Sequence, residues 1–173
     1  SAPTAYASPE SATVNVIEGG ITLKSSTCFK MELNESENLG NYTVVFDVRV
    51  PSHTWRGLLQ TNLKNDGDAG IFIKSTGEVG LGVSGFGYAG SVPTNEWCKI
   101  AIVVKAGYPS VYINGKLVNT STSTNSDRWV MDKSGAYLFC DNDGEVADID
   151  IAGIYFWNKA ITAEQVAAIG AGK

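Results

Sequence analysis

The sequence is poor in the residues that carry most side-chain chemistry. It holds one histidine and three cysteines among 173 residues, and only 18% of the chain is charged. The lone histidine, His53, follows Pro51 and Ser52 in an expected loop. No serine and acid constellation accompanies it, so a Ser-His-Asp triad is not indicated. Cys28, Cys98 and Cys140 form no C-x-x-C pair, which argues against zinc and dithiol redox chemistry. An odd count leaves at least one thiol unpaired. Cys98 and Cys140 lie in apolar runs and read as small buried hydrophobes. Clusters of Lys and Arg are missing and the net charge is −5, so nucleic acid is excluded as a partner on electrostatic grounds. No apolar run approaches the roughly 20 residues of a membrane-spanning helix, so no membrane insertion is expected.

What is present is glycine, at 19 residues, and a hydrophobic fraction of 43%. A chain of this length fits one domain, taken here as residues 1–173. Short strand-like segments recur between Gly, Asn, Asp and Ser. The clearest is residues 42–50 (YTVVFDVRV). There Val44, Phe46, Val48 and Val50 share one face, while Val45, Asp47 and Arg49 share a face expected to be wetter. Pro51, without an amide to donate, ends the strand. Further strands are expected at 21–23, 29–33, 57–61, 70–74, 79–83, 99–105, 110–113, 136–140 and 149–157. Asn114-Gly115 reads as a tight hairpin turn, and Gly77 as the left-handed residue of another. One segment has helical character: Thr162 as N-cap, Glu164 and Gln165 behind it, and Gly170 as the stop. Residues 1–11 (SAPTAYASPES) are small and polar and are expected to form a loose arm. They read either as the mature end of an exported chain or as a linker from a larger one.

The second half carries a more specific pattern. Trp97 precedes the run from Lys99 to Val104. Tyr112-Ile113-Asn114-Gly115 follows, and Trp157-Asn158-Lys159-Ala160-Ile161-Thr162-Ala163-Glu164 closes into the helix. Residues 40–170 resemble the laminin-G-like, concanavalin A-like jelly-roll domains of bacterial surface and secreted proteins. The resemblance implies an all-β, two-sheet antiparallel jelly-roll sandwich with a short C-terminal helix. It implies an extracellular, cell-surface or periplasmic location and neighbouring domains of a larger chain, often a glycosidase, sialidase or phosphoesterase. In that framework Trp97 and Trp157 belong to the core.

Some proteins of this fold are glycosidases, which need paired carboxylates flanking the scissile bond. In the retaining glucanase branch they sit in an E-x-D-x-x-E strand, and that motif is missing here. The expected role is therefore a non-catalytic binding module, with glycan or polysaccharide as ligand. A module that only packs on a catalytic domain is one alternative, and a glycoside hydrolase or lyase of the concanavalin A-like fold, with acids in another arrangement, is the other. Sugar sites combine an aromatic platform with a few planar polar groups. Trp55-Arg56 and Arg128-Trp129 border loops, and Phe86 and Tyr88 stand in a glycine-flanked loop, residues 85–90. These six residues are the candidate ligand site, although the rings would equally serve to plug the ends of a sandwich. Asp141, Asp143 and Glu145 crowd one turn, with Asp148 and Asp150 just beyond. Such hard oxygen donors suit Ca2+, and the resemblance to jelly-roll domains implies one structural Ca2+ with an acidic residue near the last strand, Asp150 or Asp148, as a further ligand. Asp66 and Asp68 form a second acidic turn. Asx-turn chemistry explains either loop without a metal.

Overall fold

A computed structural model describes residues 4–7, 14–25, 27–123 and 127–171. The N-terminal strands are β1 (Thr4–Ala7), β2 (Val14–Ile17), β3 (Gly20–Leu23), β4 (Phe29–Glu32) and β5 (Tyr42–Arg49). Next come β6 (Arg56–Gln60), β7 (Ile71–Ile73), β8 (Val79–Leu81) and β9 (Gly87–Ala89). The C-terminal part holds β10 (Cys98–Lys105), β11 (Tyr108–Ile113), β12 (Lys116–Thr120), β13 (Gly135–Leu138), β14 (Ile149–Trp157) and the helix α1 (Ala163–Ile169). These form two seven-stranded antiparallel sheets, ordered β1-β4-β13-β6-β7-β8-β9 (the front sheet) and β12-β11-β10-β5-β14-β3-β2 (the back sheet). The architecture is the expected jelly-roll sandwich.

The core lies between the sheets. Val44, Phe46 and Val48 of β5 are fully buried there with Leu59, Ile71 and Val79 of the front sheet. Phe46 and Phe139 pack with ring centroids 5.0 Å apart. The opposite face of β5 departs from expectation. Val45 is also buried, because α1 lies across that face and packs Val166 with Ala101, Val103 and Tyr112. The helix begins with the capping box read from the sequence, Thr162 and Gln165 bonding each other's backbone amides. The Asn114-Gly115 turn has φ of 51° and 83°, the two left-handed residues of a type I′ hairpin.

Three segments differ from the sequence reading. Residues 4–7, placed in a loose arm, run as β1 along β4. Backbone hydrogen bonding to a sheet edge needs no hydrophobic alternation, so composition does not reveal it. Residues 87–89, placed in a rim loop with Phe86, form the edge strand β9 against β8. Cys140, read as a buried hydrophobe, is bonded to Cys28 across a separation of 112 residues. Neighbouring strands bring them together: β4 and β13 pair, with Phe29 opposite Leu138. Cys98 is the free, buried thiol. Burial, then the charges of Asp47 and Glu96, push it up to about 12, which keeps it protonated and unreactive.

Candidate ligand site

The front sheet builds an aromatic cluster on its outer face. Register sets Arg56 opposite Ile73 on the core side, so Trp55, one residue earlier, turns outward. Phe72 lies opposite Gly80, and Gly80 opposite Tyr88, which puts Phe72 and Tyr88 on that same face. Trp55 meets both edge-on, with centroids 5.7 Å from each. Phe72 is buried beneath, while Trp55 and Tyr88 remain half-exposed. Lys74 stands 5.2 Å over the Tyr88 ring. Burial, followed by the charges of Glu145 and Asp68, raises the Tyr88 phenol above its ordinary range.

Those two acids mark the border of the cluster. The segment 145–147 is laid along the start of β6: Gly57 N–H donates to the Glu145 carbonyl (2.7 Å), and Ala147 N–H to that of Trp55 (3.3 Å). Asp141 is buried and accepts from the Ala69 amide at 2.9 Å. Gln60 holds the preceding turn, donating to Gly67 O at 2.7 Å and to Asn65 Oδ1 at 3.0 Å. The two acidic turns thereby converge. Ligand oxygens of Asp68, Asp141 and Asp143 lie within 4.8 Å of one another. Asp143 is pushed up to about 7, first by its side-chain hydrogen bond with Asp141 and then by burial and the charges of Asp141 and Glu145. Glu145 is raised too, by burial and by Asp141. Three hard carboxylates converging on one point suit a divalent cation.

Not every candidate residue arrives here. Trp129 is fully buried; its indole N–H donates to Gly70 O at 2.9 Å, and Phe86 packs edge-on against it at 5.4 Å. Trp129 plugs the sandwich, since burying so much apolar surface outweighs displaying it, and Phe86, partly buried, is spent on packing against it instead of joining the Trp55–Tyr88 pair. Arg128 is exposed, and among the described residues no contact ties its guanidinium to the platform. Arg56 is buried and donates to the carbonyls of Val146 (2.6 Å), Ala147 and Thr27 (3.0 Å). Burial lowers it to about 9, partly offset by Asp148, and it stays charged at neutral pH. Its role is to clamp the acidic segment. Asp150 is on the wrong sheet for the cation: it pairs with Arg49 at 2.9 Å and accepts from Thr22 at 2.6 Å. Asp148 is held by Lys24 at 2.5 Å, a hydrogen bond that lowers its carboxyl below the ordinary range. Asp66 lies outside the group; Asp68 joins it.

The Laminin_G_3 family model, described as the concanavalin A-like lectin/glucanases superfamily, matches residues 19–167. The chain belongs to that superfamily. No curated protein matches its sequence. Among solved structures, the Trypanosoma rangeli sialidase shares the fold with a TM-score of 0.67 at 14% identity, over 91% of this chain and 28% of the sialidase. The botulinum neurotoxin serotype D ligand binding domain, in complex with N-acetylneuraminic acid, gives 0.66 at 17%, over 96% of this chain and 45% of that one. The binding domain of Paraclostridial Mosquitocidal Protein 1 gives 0.62 at 18%, over 90% and 45%. This superfamily member thus spans less than half of each of these larger chains, and at these identities the likeness is one of fold.

Proposed function

We propose that this domain is a non-catalytic carbohydrate-binding module of a larger exported protein. The observation that carries the reading is the half-exposed Trp55–Tyr88 pair set beside the Asp68, Asp141 and Asp143 cluster. Aromatic faces pack against sugar C–H surfaces, and a cation held by the three aspartates would bind vicinal hydroxyls. Location outside the cytoplasm is supported by the Cys28–Cys140 disulfide, which persists in oxidising compartments. Two of the solved structures of this fold are described as binding domains, and a third is an enzyme. The test is a glycan array followed by calorimetric titration with calcium present. The expected dissociation constant is on the order of 0.1–1 mM, as befits a shallow site. Trp55→Ala and Tyr88→Ala should each weaken it at least tenfold. Unchanged affinity in both variants refutes the site.

A second reading has one observation in its favour. Asp143, held near neutrality beside Asp141 and Glu145, has the protonation behaviour of a general acid. What favours the binding module over this reading is that three carboxylates, not two, bring ligand oxygens within 4.8 Å of one another, a donor set suited to a cation. Turnover of any member of a polysaccharide panel, lost in Asp143→Asn, would make the domain a hydrolase.

A further inference from the structure

The outer face of the back sheet presents a second assembly, unrelated to the front-sheet platform. Trp97 was expected in the core; it is half-buried on this outer face instead. Trp97 comes just before β10, where Cys98 lies opposite Val48, so the next position along pairs it with Arg49. The Arg49 guanidinium stacks 4.8 Å from the indole centroid. On its other side it is held in plane by Asp150, its Nε and Nη2 each 2.9 Å from the same carboxylate oxygen. Thr22 holds the second oxygen of Asp150 at 2.6 Å. One row further along, Lys99 pairs with Asp47 at 3.2 Å.

A turn overhangs this row. Glu18 and Gly19 connect β2 to β3, with Gly19 at φ 84°. Gly20 then runs so close to β14 that a Cβ there would lie 2.2 Å from the Ile151 carbonyl oxygen. Only glycine allows that approach, and it fixes the turn against the sheet. The result is a cleft of about 420 Å³ lined by Glu18, Gly19, Arg49 and Trp97.

We infer that this cleft is a second binding site, for a neutral sugar ring. Its volume matches that of sites for small ligands. The indole offers an apolar surface, while Arg49 and Glu18 offer planar donors and acceptors suited to hydroxyl groups. Three acids, Glu18, Asp47 and Asp150, face two bases, Arg49 and Lys99. Both bases are already paired, so an anionic sugar has no unopposed positive charge to meet. Arg49 is preorganised by Asp150 and by stacking, so little side-chain entropy is lost on binding. With a site on each sheet, the module would engage two sugar residues on separate chains.

The experiment is titration of neutral oligosaccharides (gluco-, galacto-, manno- and xylo-series) and of N-acetylneuraminic acid, with the Trp97 indole N–H followed by NMR. A neutral series should shift that resonance in the Trp55→Ala variant and with chelator present, conditions that silence the front-sheet site. Trp97→Ala, which removes the reporter resonance and is therefore read by calorimetry with chelator present, should weaken this binding at least tenfold. Glu18→Ala, an exposed turn substitution that leaves the fold intact, should weaken it severalfold. The inference is overturned if no neutral series moves the resonance at about 10 mM, if N-acetylneuraminic acid is preferred, or if chelator or Trp55→Ala abolishes the shift. Those last two results would assign all binding to the front sheet.

Discussion

Two tryptophans that look alike in sequence have opposite fates. Trp55 and Trp129 each adjoin an arginine and a loop, yet Trp55 is half-exposed and Trp129 is enclosed. The difference lies in what surrounds them. The Trp129 indole N–H finds the Gly70 carbonyl, and its ring finds Phe86. Trp129→Ala should therefore lose about 3–5 kcal/mol of unfolding free energy through cavity formation. Trp55→Ala should lose less than half as much while weakening glycan binding at the front-sheet platform at least tenfold. Urea denaturation of both variants checks this; equal losses would mean that Trp55 is core and no platform exists. The arginines diverge likewise: Arg56 clamps three carbonyls, and Arg128 faces solvent. No local pattern separates them, because burial is decided by residues far along the chain.

At the scale of elements, local signals read well and non-local ones did not. The Asn114-Gly115 turn and the Thr162 capping box depend on residues within four positions, and both stand as expected. The alternation of β5 correctly named its core face. It misjudged the other face because α1, which covers it, lies more than 100 residues away. The candidate cation group shows the same limit. Asp141 and Asp143 were legible as a turn, but Asp68 joins them only because Ala69 and Gly57 dock on the segment after β13. The disulfide anchors that segment at Cys140, one residue before Asp141. Closing a loop of 112 residues removes unfolded-chain entropy worth about 4–5 kcal/mol. Replacing Cys28 and Cys140 together by alanine should lower stability by an amount of that order in guanidinium titrations, with 141–147 gaining hydrogen exchange ahead of the sheets. Uniform protection across that segment in the variant would show that Arg56 alone holds it.

For the whole molecule, the acidic segment is where the fold is electrically least comfortable. The side-chain hydrogen bond with Asp141, followed by mutual repulsion, raises Asp143; burial and Asp141 raise Glu145; and the Tyr88 phenol, on the platform, feels the charges of Glu145 and Asp68. A net charge of −5 adds to that repulsion. A cation bound by Asp68, Asp141 and Asp143 would join the turn after β6 to the segment after β13, and so would act on global stability. Extracellular calcium sites bind with dissociation constants of about 0.1–1 mM. At about 10 mM calcium such a site stabilises the native state by roughly 1.4–2.7 kcal/mol. For a domain of this size that raises Tm by about 3–10 °C. Magnesium, which demands tighter octahedral geometry and sheds water reluctantly, should give a smaller shift. The paired substitution Asp68→Asn and Asp143→Asn should remove the calcium response. It should also raise the Tm of the metal-free protein, because it deletes repulsion rather than attraction. A thermal scan in chelator and in calcium separates the two effects. If wild type shows no calcium shift while the double variant is still more stable in chelator, the carboxylates are a repulsive cluster without a cation, and glycan contact at the platform would rest on Trp55, Tyr88 and Lys74 alone.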